Sequence, residues 1–335
     1  MKSLHPMFLM FFGLLTLAPG IAQADETPQP AAKQREFVFH YDFRLLDLPP
    51  GKKLRVWLPV PKPDSWQQIE LLGKTTDGTG KVLGFRETKE SKYGNRLLYA
   101  ELEVPTSGEL SLRQAYGVNR KEVLFTNHAP ARIKQEFADA ESFLGANRFV
   151  PLVGKQLALL SVAKLPANVL EKAEAIYEIV DEHVRYSKEG KGWGNGDVAW
   201  VCDSRYGNCT DFHSLFISMA RSQGIPAKFE IGFPIPTGDQ GKVTGYHCWA
   251  WFHTDAKGWV PVDISEADKH PEMKEYFFGN LTADRIAFST GRDLILEPKQ
   301  SEPPLNYMVY PYVEVDGKPL SKKNIELQFR FKETE

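Results

Sequence analysis

Between Tyr206 and Phe212 a cysteine, Cys209, stands directly in front of an amphipathic helix, and no other stretch constrains the fold as tightly. Phe212, Leu215, Phe216 and Met219 recur at helical spacing, and Gly224-Ile225-Pro226 stops the pattern. A cysteine at a helix start faces unpaired backbone N–H groups and the positive end of the helix dipole. Both favour the thiolate, which is the nucleophilic form. Strand-like segments follow near 227–233, 245–253 and 258–264, and they carry Tyr246-His247-Cys248-Trp249 and Trp259-Val260-Pro261-Val262-Asp263. Cys209, His247 and Asp263 thus offer a nucleophile, a base and an orienting carboxylate in one chain.

Upstream the period is different. Phe37, Phe39, Tyr41 and Phe43 alternate with polar or smaller residues, as do Leu54, Val56, Leu58 and Val60, then Leu98, Ala100, Leu102 and Val104. With turn signals at Asp77-Gly78 and Tyr93-Gly94-Asn95, residues 35–122 read as an all-β, sandwich-like domain. A second domain is expected over 123–300. It has short helices at 136–145 and 155–165, a stronger one after Pro166, and a four-glycine loop at 188–197. Residues 308–315 and 325–331 flank Asp316-Gly317-Lys318-Pro319 and suggest a C-terminal hairpin segment over 301–335.

Lys2, an apolar run, Pro19-Gly20 and Ala22-Gln23-Ala24 make residues 1–24 a signal peptide; the run of about twelve residues is too short for the roughly 20 of a spanning helix. The mature chain is expected to start near Asp25, with a flexible 25–34, and to work in the periplasm or outside the cell. The net charge of −2 leaves no electrostatic footprint for nucleic acid or anionic lipid. No spacing in the sequence suggests a metal site, a phosphate loop or a cofactor. Three cysteines at 202, 209 and 248 are an odd count, so at least one thiol stays outside any intramolecular bridge. Cys202–Cys248 would leave Cys209 free, whereas Cys202–Cys209 would switch it off.

The register of the last two strands can be worked out. A turn over Asp255-Ala256-Lys257 pairs Thr254 with Gly258, so paired numbers sum to 512. Trp249 then opposes Asp263, with His247 on the diagonal of the same face, within reach of an imidazole–carboxylate hydrogen bond. By the same alternation Cys248 faces away from His247. The Cys209 N–H is the first candidate oxyanion donor, with Tyr206 and Trp200 as candidates for a second. Plainer alternatives exist for each residue. Cys209 would be an ordinary buried cysteine, His247 a strand histidine and Asp263 a turn cap. His213, one helical turn after Cys209, is the rival base, and Asp211 reads as a first-turn carboxylate that suits the dipole.

Gly207-Asn208-Cys209-Thr210-Asp211-Phe212 with Ala220-Arg221 and Gly224-Ile225-Pro226-Ala227 resembles the cysteine block of the transglutaminase-like superfamily. Gly245-Tyr246-His247-Cys248-Trp249-Ala250-Trp251-Phe252 is similar to its histidine block, and Gly258-Trp259-Val260-Pro261-Val262-Asp263 to its aspartate block. The resemblance covers about 163–264. It implies an α+β fold with a papain-like core, in which the Cys209 helix packs on an antiparallel sheet carrying His247 and Asp263. It also implies a peptidase, amidase or cross-linking enzyme, with a peptide, protein or cell-wall amide as substrate. The alternative is a catalytically silent module that binds a cell-wall or surface polymer. Calcium dependence is not implied, and Cys248 beside the histidine departs from the pattern.

Overall fold

Strict alternation in β1 (Gln34–Leu45) puts Phe37, Phe39, Tyr41, Phe43 and Leu45 on one face, each at most 1% exposed, and His40, Asp42 and Arg44 on the other. A strand so divided needs a covered face, and a two-layer sandwich supplies it. The computed structural model describes residues 32–125 and 137–334. The expected signal peptide therefore lies outside the described residues. Within them, β2 (Lys53–Pro59), β3 (Gln67–Asp77), β4 (Arg86–Lys89), β5 (Arg96–Glu103) and β6 (Leu110–Lys121) follow β1 in antiparallel pairings.

The chain then turns helical. A 3-10 segment at Phe137–Phe143 precedes α1 (Gln156–Ser161), α2 (Val169–His183), the short β7 (Arg185–Tyr186), α3 (Val198–Ser204), β8 (Tyr206–Gly207) and α4 (Cys209–Ser222). Next come β9 (Ala227–Pro234), β10 (Gln240–Val243), β11 (His247–Thr254), β12 (Gly258–Val262), α5 (Ile264–Lys269) and β13 (Arg285–Thr290). The last strands are β14 (Tyr312–Val315), β15 (Lys318–Pro319) and β16 (Ile325–Glu333). One sheet has the order β12-β11-β9-β13 and receives α4. The two sandwich sheets have the orders β10-β16-β1-β6-β3 and β15-β14-β2-β5-β4.

Two pairings differ from the sequence reading. Residues 308–315 and 325–331 do not pair with each other. Only β14 and β15 form a small hairpin; β14 joins β2 in one sheet, and β16 crosses to the other and pairs with β1, Phe39 opposite Phe331. The reason is apolar complementarity: Phe329 and Phe331 point into the aromatic core that β1 already lines. Phe39, Phe233, Phe288 and Phe329 meet there at 4.6–6.1 Å between ring centres, so sandwich and four-stranded sheet share one packed interior.

Gly232 shows how tightly β9 is held beside its neighbours. It pairs with His247 on one side and with Ala287 on the other, where β13 bulges. A Cβ there would lie 1.8 Å from the Ile286 carbonyl oxygen, so the backbones themselves would have to part. Gly232→Ala is expected to destabilise by about 3 kcal/mol, at the upper end for overpacking, and chemical denaturation would measure it.

Candidate active site

Asn208 starts α4 with extended backbone, and its side-chain oxygen accepts the Thr210 N–H at 2.9 Å. Asp211 reaches back to the Asn208 N–H at 2.9 Å, completing a capping box. The same carboxylate accepts the N–H groups of Gly194 and Gly196 at 2.6 and 2.9 Å. Asp211 is thus more than a dipole partner: it straps the four-glycine loop onto the start of the helix. Burial pushes its carboxyl up to about 6 against the pull of those donors. Arg292, a residue the sequence reading missed, seals the loop from the other side through the carbonyls of Asn195 and Gly196.

Cys209 is 2% exposed, deeper than a helix-start position suggests. The cause is the cover over the helix tip. Tyr246 Oη takes the Asn208 side-chain amide at 2.9 Å, lies 3.1 Å from Thr210 Oγ1, and contacts Tyr307, whose own hydroxyl donates to the Gly194 carbonyl. Among the described residues the Cys209 N–H has no acceptor, as the first N–H of a helix should not. Trp200 and Tyr206 pack edge to face, 5.3 Å apart, and neither side chain is hydrogen-bonded to Cys209, His247 or Asp263 among the described residues.

The β11–β12 register is the one the sequence requires: Thr254 opposes Gly258 and Ala250 opposes Val262. Asp263 then leaves the strand and caps α5. Its Oδ1 lies 3.3 Å from the Glu266 N–H and 3.4 Å from Ser265 Oγ. Its Oδ2 accepts His247 Nε2 at 2.7 Å and Arg285 Nη1 at 2.9 Å. So Asp263 is both cap and imidazole partner. Burial alone would raise its carboxyl, but His247 and Arg285 outweigh burial and hold it well below the ordinary carboxylate range. Burial works the other way on His247, yet Asp263 and Cys209 prevail and raise it to about 9. Burial would also raise the Cys209 thiol; Cys248 and His247 beside it hold it well below its usual value. The arrangement favours a thiolate beside an imidazolium.

His213 is otherwise engaged. Its Nδ1 lies 2.7 Å from the Cys209 carbonyl and its Nε2 accepts the Ile264 N–H at 3.1 Å, so both ring nitrogens are occupied. Burial lowers it to about 4, which leaves it neutral. It locks the start of α4 to α5.

Cys248 corrects an expectation. The alternation holds, with Trp249 and Trp251 on one face and Cys248, Ala250 and Phe252 on the other. But that other face is the one α4 packs against, so Cys248 lies among the groups at the helix start. Its Sγ is 3.8 Å from both Thr210 Oγ1 and His213 Nδ1. All three cysteines are unbridged. Trp249 and Trp251 are walls of the interior, both indoles donating to Glu230 at 2.6 and 2.9 Å. Arg285, on β13, carried no motif that the sequence could flag.

Comparison with known proteins follows the same lines. The chain is similar to an uncharacterized protein of Haemophilus influenzae, 27% identical over 328 residues that span 85% of this chain and 87% of that protein. Its fold matches the crystal structure of a candidate cysteine protease from Cytophaga hutchinsonii, with a TM-score of 0.58, 15% identity and coverage of 89% of this chain and 90% of that one. The model of the transglutaminase-like superfamily matches residues 158–264, the stretch that holds α2, α4 and β11–β12. Residues 158–264 of this chain are a transglutaminase-like domain, set in a mixed α+β fold of mostly antiparallel sheets.

Proposed function

We propose that this protein is a thiol enzyme that acts on amide bonds through an acyl-enzyme on Cys209, with His247 as base and acid and Asp263 as orienting carboxylate. One observation carries the reading: a thiol held below its usual pKa beside an imidazole whose Nε2 is 2.7 Å from a buried carboxylate. With Nε2–H engaged by Asp263, Nδ1 is left for the thiol proton. The thiolate attacks the amide carbonyl, forming an S–C bond, and the developing oxyanion meets the Cys209 N–H. The C–N bond then breaks as His247 passes its proton to the leaving amine. Water next attacks the thioester, gives its proton to His247, and the S–C bond breaks.

Water as acceptor makes the protein a peptidase or amidase, the reading favoured here; an amine would make it a transglutaminase. The N-terminal pattern of Lys2, apolar run and Ala22-Gln23-Ala24 supports export to the periplasm or beyond, where peptides, proteins and cell-wall amides are the available substrates. Among the described residues no helix is long and apolar enough to cross a membrane.

Labelling with iodoacetamide near neutral pH tests the assignment. Cys209 is expected to react fast, and His247→Ala to slow it on the order of 10²-fold, whereas His213→Gln keeps most of the rate. Sluggish labelling that ignores His247 would instead favour a silent module that binds a polymer. Release of free amine against incorporation of an added primary amine separates hydrolysis from transfer.

A further inference from the structure

Asp263 has two cationic partners on one oxygen. His247 Nε2 and Arg285 Nη1 both reach Oδ2, at 2.7 and 2.9 Å, while the weaker contacts of Oδ1 belong to the α5 cap. Arg285 is 3% exposed and Asp263 fully buried. The guanidinium lies over the Trp249 ring, 4.8 Å from its centre, and the His247 ring lies 5.9 Å from that same indole. Trp249 is itself pinned through Glu230, and Arg285 Nη2 reaches Thr282 Oγ1 at 3.4 Å. Arg285 Nε has no acceptor among the described residues, so Asp263 is the anion that holds this arginine and the arginine in turn holds Asp263.

We propose that Arg285 is a positioning residue for the reaction at Cys209: it fixes Asp263 Oδ2 toward His247 and offsets part of the carboxylate charge, so that the imidazolium releases its proton to the leaving amine. The inference rests on the functional reading above. A buried carboxylate with no second partner would bind the imidazolium proton too firmly for efficient transfer, since catalytic acids work best with a pKa near the working pH. A positive charge on the same oxygen weakens that grip and also keeps the carboxylate from turning away.

Other groups bear on the pair and must be kept constant in any test. From α4 come Cys209 and His213, the latter 3.7 Å from Asp263 Oδ1. Cys248 approaches from β11. Glu266 of α5 lies 4.0 Å from His247 Nε2 and is paired with Lys269 at 2.7 Å. Tyr177 of α2 is close to Asp263, while Tyr276 and Arg120 are close to Arg285.

The test is the pH profile of Cys209 alkylation by iodoacetate. This anion is drawn by the imidazolium, so its rate falls when His247 loses its proton. In Arg285→Met that alkaline limb is expected to move up by about one pH unit, because the carboxylate, freed of its second cationic partner, holds the imidazolium proton more firmly. Asp263→Asn should move it down. Arg285→Lys, which keeps the charge, should return the limb to its wild-type place with an incomplete rate. Combined with Asp263→Asn, Arg285→Met should add no further shift, because Arg285 acts through Asp263. A limb that stays put in a folded Arg285→Met variant, or a shift that persists on the Asp263→Asn background, would overturn the proposal. Should Arg285→Met fail to fold, Arg285→Lys with a displaced limb overturns it as well. An alkylation profile of wild type that is flat, or one unchanged by His247→Ala, would instead sink the underlying functional reading.

Discussion

Replacing Cys209 with alanine is expected to lower turnover on any substrate of the wild type by on the order of 10⁴-fold or more, because no other ionised thiol stands at the helix start. The fold should survive. The thiol is 2% exposed and removing one sulfur atom from such a site leaves a small void, worth about 1 kcal/mol. Cys248 is the natural understudy, since its sulfur lies 3.8 Å from Thr210 Oγ1, but burial, first among the causes, keeps its thiol well above the usual value and so protonated. Turnover in Cys209→Ala near the wild-type rate would refute the nucleophile; a small residual rate lost in Cys209→Ala/Cys248→Ala would identify the understudy.

The second large effect belongs to Asp263→Asn. Because His247 and Arg285 share Oδ2, the amide either gives both its oxygen and sets its NH₂ against the Glu266 N–H of the cap, or sets the NH₂ against both cations. Loss of the imidazole partner is expected to reduce turnover by about 10³–10⁴-fold, as for the carboxylate of a serine triad. Stability should fall too, by about 3 kcal/mol, since Arg285 is left buried without its carboxylate. A rate close to wild type with unchanged stability would mean that another group orients His247. Comparing turnover with denaturant midpoints separates the two losses.

Much of this was legible from local pattern. The period of two in β1, β2 and β5 announced the sandwich, and the stripe Phe212–Leu215–Phe216–Met219 announced α4. The hairpin arithmetic placed His247 and Asp263 together because a three-residue turn leaves one register that buries the right face. What escaped is what only long-range packing decides. α3 is seven residues long, begun by Asp197 as its cap, and too short for a helical period to show beside the glycine loop. Arg285 lies 22 residues beyond Asp263 on a strand of its own, and pairing of β13 with β9 carries it there. Cys248 was assigned its face correctly, but which face α4 covers cannot be deduced from alternation. The burial of Cys209 likewise depends on Tyr246 and Tyr307, brought together from positions 61 residues apart. β16 reads as half of a hairpin until Phe329 and Phe331 are seen against the partners they fill.

The state of the thiol itself is the most direct measure of the central claim. The ultraviolet absorbance of thiolate, taken as wild type minus Cys209→Ala and followed upward from acid pH, reports Cys209 alone. The geometry of Cys209, His247 and Asp263 calls for thiolate already present at neutral pH, well below the ordinary value near 8.5, and for its dependence on His247. A thiol that ionises only at about pH 8.5 or above, with the same midpoint in His247→Ala, would contradict the account.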